Sequence, residues 1–293
     1  MFKVSWSAGV LLTGVVMVLA APNICRAEDP ASTRYGLFNL LDSKSKYNTD
    51  WFPEPLNTDE MDGDQELRLN FFHQEKTNHR ETEASAEIEK SFGQLSLEVE
   101  FPYASETETE DGDTNSADGM GNIELSARHP FFQYVSPSGF FDYTAGGRVE
   151  LAIATGSDVS KNTELVAGLY QTIGLGDHFS IQMGAGYSTL FGPGEDQQAR
   201  NLESTAVFGY NIDVHKFLGL VRVTPVFELD GETALNKGAS GSTELTADIG
   251  TVLAFDSIKW GQPKMIVGYV MPVNNEARAD FDWGVTVSLI LEY

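Results

Sequence analysis

Cysteine is almost missing from this chain: Cys25 is the one in 293 residues, and it sits in a stretch built to be removed, so no disulfide is expected to hold the fold. Positive charge is scarce too. Nineteen Lys and Arg stand against 43 Asp and Glu, a net charge of −24, and that sign disfavours nucleic acid as a partner. After residue 27 no apolar run reaches the roughly 18 residues of a membrane-spanning helix, which excludes an inner-membrane protein held by helices. No convincing amphipathic helical period follows Gly63. The patterns His-Glu-x-x-His and Gly-x-Ser-x-Gly and the phosphate loop are absent, so no enzyme is expected, and no catalytic residue, metal site or cofactor. His73, His79, His129, His178 and His215 all fall near expected strand ends or turns.

The first 27 residues read as a secretory signal peptide. Lys3 precedes an apolar stretch from Val10 to Ala21, and Cys25-Arg26-Ala27 places small residues where a signal peptidase reads them, just before Glu28-Asp29. Losing Lys3 and Arg26 would take the charge from −24 to −26. Asn23-Ile24 before Cys25 lacks the small residue that lipid attachment requires. Residues 28–63 show little alternation and read as an irregular extension that could plug or cap something.

From Gln65 onward the apolar period is two. The last stretch is the clearest case: Phe281, Trp283, Val285, Val287, Leu289, Leu291 and Tyr293 share one face, while Asp282, Gly284, Thr286, Ser288, Ile290 and Glu292 share the other. A strand of this length with aromatic ends matches one tilted across a bilayer, and its C-terminal aromatic resembles the signal read by the machinery that assembles outer-membrane barrels. A hairpin runs from Glu81 to Tyr103. Further alternating segments lie at Asn122 to His129, Phe140 to Ala154, Thr163 to Ile173, Phe179 to Leu190, Asn201 to Ile212, Leu220 to Leu229, Thr243 to Ala254 and Lys264 to Met271. With Gln65 to Phe72 they make about twelve strands. The expected fold is all-β, a single transmembrane antiparallel barrel over 64–293. Short connections at 92–94, 174–178 and 213–219 alternate with polar ones at 104–121, 191–200, 230–242 and 273–280, the asymmetry of periplasmic turns and outer loops, although 131–139 and 255–262 are longer than tight turns.

Ala86-Glu87-Ile88 through Gly93 to Phe101-Pro102-Tyr103, followed by Gly119-Met120-Gly121-Asn122, resembles the large family of outer-membrane proteins named for the meta-pathway of phenol degradation. Its members show a hairpin ending in an apolar-Pro-Tyr step, a Gly-x-Gly-Asp/Asn segment and a C-terminal aromatic, and this chain has each in order over roughly Glu81 to Tyr293. The resemblance implies a membrane barrel that passes hydrophobic or aromatic compounds. It names no catalytic residue.

If the apolar faces meet lipid, the other faces line a lumen. The lining candidates are Arg68, Glu87, Glu98, Glu124, Arg128, Arg148, Glu150, Arg222, Glu228 and Asp248. Buried charges must be paired or hydrated, so Arg68, Arg128, Arg148 and Arg222 are expected to point inward and contact lumen carboxylates; they share faces with Glu66, Glu124, Glu150 and Glu228 on their own strands, and cross-strand acids come closer still. The acidic run 106–118 fails as a calcium loop, because Ser116 and Asn122 stand where glycine and a bidentate glutamate belong. It reads as a solvated loop near lipopolysaccharide. Three functions remain open: a passive channel for small, hydrophobic or aromatic solutes, a structural or adhesive surface barrel with a closed lumen, and a soluble periplasmic ligand-binding sandwich. The expected partners are outer-membrane lipid and lipopolysaccharide, the barrel assembly machinery and a small solute.

Overall fold

A computed structural model of the chain describes residues 55, 56 and 65–293, apart from 93–94, 111–112, 139, 177, 193–198 and 237–240. The expected signal peptide, and the extension save Pro55 and Leu56, lie outside the described residues. Alternation of apolar and polar residues gives β1 (Glu66–Lys76), β2 (His79–Phe92), β3 (Leu95–Glu110), β4 (Asp113–Met120), β5 (Ile123–Val135), β6 (Phe141–Ile153) and β7 (Thr163–Leu175). It continues in β8 (Phe179–Phe191), β9 (Arg200–Tyr210), β10 (Ile212–Phe217), β11 (Leu220–Ala234), β12 (Thr243–Phe255), β13 (Gln262–Pro272) and β14 (Trp283–Glu292). All pairings are antiparallel. All strands but β4 and β10 join in sequence order, β9 pairing with β11, and β14 returns to β1 from Glu66↔Glu292 to Glu75↔Trp283. The wall of twelve strands closes on itself and has no edge strand; β4 and β10 each pair on one side only. The twelve expected segments coincide with the wall's twelve strands.

Several connections differ from expectation. The stretch 104–121, expected as a long polar loop, is largely a hairpin: β3 runs on to Glu110 and β4 pairs back on it from Glu110↔Asp113 to Tyr103↔Met120. Its alternation is of Thr and Ser with Glu and Asp, so it has no apolar face to show. Hydroxyl pairs stand opposite each other instead, Thr107 with Ser116 at 3.4 Å and Thr109 with Thr114 at 3.3 Å. The connection 213–219 holds β10, which turns into β11 at Leu218 and Gly219, both at positive φ (54° and 81°). In 273–280 a short helix, α1 (Ala277–Asp280), ends on Phe281. Phe281 is buried and Asp282 exposed, the reverse of the faces expected for them, because β14 begins only at Trp283.

The Phe-Pro-Tyr step and the Gly-x-Gly-Asn segment meet where β3 leaves the barrel wall. Gly121 donates its N–H to the Pro102 carbonyl at 2.9 Å, and a Cβ there would lie 2.9 Å from Pro102 Cγ. Asn122 is held by Ser160 and by the Asn162 carbonyl at 2.5 and 3.1 Å. The two motifs are one joint, at which β5 replaces β4 as the neighbour of β3.

The two faces of the wall differ in kind. Large apolar side chains stand exposed around the outside, among them Leu69 and Leu289, paired across the closing seam and 58% and 53% exposed. Single exposed leucines are ordinary, but a continuous apolar girdle on a closed barrel suits hydrocarbon. Inside, Val207, Val226, Val252, Ile266 and Ile290 form a buried apolar layer with Leu56. Glycine on the inner wall makes room for larger partners. Tyr170, opposite Gly146, lies so close that a Cβ on Gly146 would sit 2.1 Å from its Cζ. Gly146→Val is therefore expected to destabilise the barrel by about 1–3 kcal/mol through overpacking, with recovery in a Gly146→Val, Tyr170→Ala double variant. Urea titration of the heat-modifiable folded band checks both, and no recovery would place the damage elsewhere.

Candidate functional site

Strand period places one residue in two on the inner wall, and these carry the chain's interior charge. Arg68, Glu87, Glu98, Arg128, Glu228 and Asp248 are buried, and Glu124, Arg148, Glu150 and Arg222 are partly so. Arg128 on β5 bridges two strands: Nη1 donates to Glu89 Oε2 at 3.1 Å and Nη2 to Glu98 Oε2 at 2.5 Å. Arg68 lies 3.8 Å from Glu66 and donates to Asn70 at 3.0 Å and to the Pro55 carbonyl at 3.4 Å. Lys264 pairs with Glu292 in a buried contact.

Arg148 reaches from β6 to Glu203 on β9, 3.5 Å away. Gly168, Gly184 and Gly186 on the strands between carry no side chain to block the path; a Cβ on Gly186 would come within 3.3 Å of Glu203 Oε2. Arg68 lies beside Glu66 on its own strand, whereas Arg128 and Arg148 meet acids on other strands, where cross-strand acids are expected to come closer. Arg222 differs most. Its Nε donates to Asp213 on β10 at 3.1 Å, at the end of the wall and half in solvent, not to Glu228 six residues along.

Two cavities open on this interior. One, of about 370 Å³, is walled by Glu150, Glu164, Glu203, Asp230, Glu232 and Glu244 with Arg148. The other, of about 340 Å³, has Glu81, Glu83, Glu87, Glu100 and Glu124 with Arg68 and Arg128, and Leu56 on its wall. Carboxylates outnumber guanidinium groups in both, so each presents negative potential to whatever enters. Asp230 and Glu232 fall in the expected polar connection 230–242, yet they continue β11, opposite Thr246 and Glu244. The signal that could have found them is the two-residue spacing from Glu228.

Leu56 had no signal in the strand pattern, since it precedes β1. Its N–H donates to Glu228 Oε2 at 2.7 Å, and its side chain sits over Gly250 and Gly268, where Cβ atoms would stand 2.9 Å from Cδ2 and 3.5 Å from Cβ of the leucine. Two glycines on adjacent strands thus make the socket that lets one residue from outside the wall complete the apolar layer.

No protein-family model and no curated protein matches the chain. Among solved structures it is similar to an outer membrane channel from Pseudomonas putida F1, with 11% identity and a TM-score of 0.53 over 83% of this chain and 98% of that one. It is also similar to the NanC porin (8% identity, TM-score 0.48, 78% and 98% coverage) and the KdgM porin (16%, 0.42, 77% and 99%). The first match shows a shared fold, that of an outer-membrane β-barrel; the porins lie too far off to add to it.

Proposed function

We propose that the protein is a passive outer-membrane channel for small solutes with an apolar or aromatic body, neutral or cationic rather than anionic. The observation that carries this reading is the order of surfaces inside the barrel. The smaller acid-walled cavity reaches the buried apolar layer at Leu56, and Leu56 comes from the segment before β1 and not from the wall. A solute meets negative potential first, which repels carboxylates and attracts cations, and then a layer that favours an apolar body. The family resemblance to barrels that pass hydrophobic or aromatic compounds supports the same cargo class, and the likeness in fold to the Pseudomonas putida outer membrane channel supports a channel role.

Conductance in a planar bilayer tests this. The purified protein is expected to give cation-preferring steps, and Leu56→Ala, which thins the apolar layer without touching the wall, is expected to enlarge them several-fold. The second reading, a surface barrel with a closed lumen, is favoured by the burial of Glu66, Glu89, Thr172 and Gln182 at 0–1% exposure. Silence from both proteins, with the folded band present in the bilayer, would establish the closed barrel in place of the channel.

A further inference from the structure

The interior acids are not all provided for in the same way. Among the described residues, two of the three carboxylate clusters share Glu87: Glu66 and Glu89 in one, Glu98 and Glu100 in the other. Those clusters have guanidinium groups built in, with Arg128 on Glu89 and Glu98 and Arg68 beside Glu66. The third, Glu228, Asp230 and Asp248, has oxygens all within 4.8 Å of one another. Glu228 and Asp248 stand directly opposite across β11 and β12, the placement at which like charges repel most.

Asp248 is 0% exposed, and neither of its carboxylate oxygens has a hydrogen-bond partner among the described residues. Asp230 accepts from Thr205 Oγ1 at 2.5 Å through one oxygen, while its Oδ2 is likewise buried without a hydrogen-bond partner. Glu228 accepts the Leu56 N–H. Asp248 and Asp230 thus keep buried oxygens with no hydrogen-bond partner among the described residues, close to one another and to Glu228.

We propose that Glu228, Asp230 and Asp248 form a binding site for a hard divalent cation, with calcium the best fit. Calcium takes oxygen ligands at about 2.3–2.6 Å, so two ligands on opposite sides of the ion stand about 4.6–5.2 Å apart, and oxygens within 4.8 Å of one another can share one such ion. Both oxygens of Asp248 are available for bidentate ligation, and water from the adjoining cavity completes the six to eight ligands that calcium takes. Asp230 is also part of the wall of the larger cavity. An ion therefore reaches the cluster through that acid-walled space and needs no opening in the barrel. The site stands whether or not the lumen conducts. Once filled, it ties β11 to β12 and, through Glu228, holds Leu56 over its glycine socket.

The test uses the full-length barrel in zwitterionic detergent, stripped with chelator and titrated calorimetrically with calcium chloride. The wild type is expected to show one saturable site per chain. Asp248→Asn, which relieves a buried repulsion and so keeps the barrel folded, is expected to weaken it at least tenfold, and Asp230→Asn is the second variant should the first fail to give a folded band. Glu108→Gln, in the exposed hairpin, is expected to leave it unchanged. A wild type without a saturable site would overturn the proposal. So would a folded Asp248→Asn or Asp230→Asn variant that titrates like the wild type, because the binding would then belong to surface acids.

Discussion

Arg128→Ala is expected to cost the barrel roughly 3–5 kcal/mol, the range for removing one partner from a buried charge cluster. Its guanidinium is 2% exposed and holds Glu89 and Glu98, which are 0% and 5% exposed. Deleting it takes the guanidinium from two buried carboxylates, and Ser96, already donating to Glu89, cannot supply charge. Arg80 makes an ion pair of similar length, 3.0 Å to Glu75, but its side chain is 61% exposed, so Arg80→Ala should cost at most about 1 kcal/mol. Urea unfolding of both variants in the same micelle compares like with like. A triple variant, Arg128→Met with Glu89→Gln and Glu98→Gln, should recover most of the loss, since it removes the stranded charges along with their partner. Equal costs at Arg128 and Arg80 would show that water reaches the Arg128 cluster.

The barrel was legible in the sequence because its two faces meet different media. Leu97, Val99 and Phe101 alternate with Glu98 and Glu100, and no other secondary structure gives period two. What alternation does not encode is which strand supplies a partner. The register that sets Arg128 against Arg148, and Glu228 against Asp248, depends on hairpin lengths and on the bulge near Pro130, so a single strand shows that cross-strand acids come close but not which ones. The β3–β4 hairpin escaped notice for the opposite reason: both of its faces are polar, and without an apolar stripe a strand reads as a loop. Asp230 and Glu232 were hidden by the Gly231 between them, a turn signal by composition that here lies within a strand. Leu56 was hidden by distance, since its socket is made by two glycines nearly two hundred residues further on.

Leu289→Arg should cost about 2–4 kcal/mol if its position lies near the bilayer midplane, and less toward either interface. Leu289 points outward between Leu69 and Met265 on the neighbouring strands, and an arginine there must either enter hydrocarbon or draw water down to it. Leu218 supplies the control. It is 86% exposed, more than Leu289 at 53%, but it lies in the tight turn between β10 and β11 at the end of the wall, with φ 54°, where an arginine meets water and headgroups. In a soluble protein, cost should fall as exposure rises, and neither change would matter much. In a membrane barrel, depth decides, so the ranking should be a large cost at Leu289 and almost none at Leu218. Refolding into lipid vesicles, read by the heat-modifiable band across a urea series, gives both values at once. Equal tolerance of the two arginines would mean that the girdle around Leu69 and Leu289 does not face lipid, and the assignment of the acid clusters to a lumen would lose its basis with it.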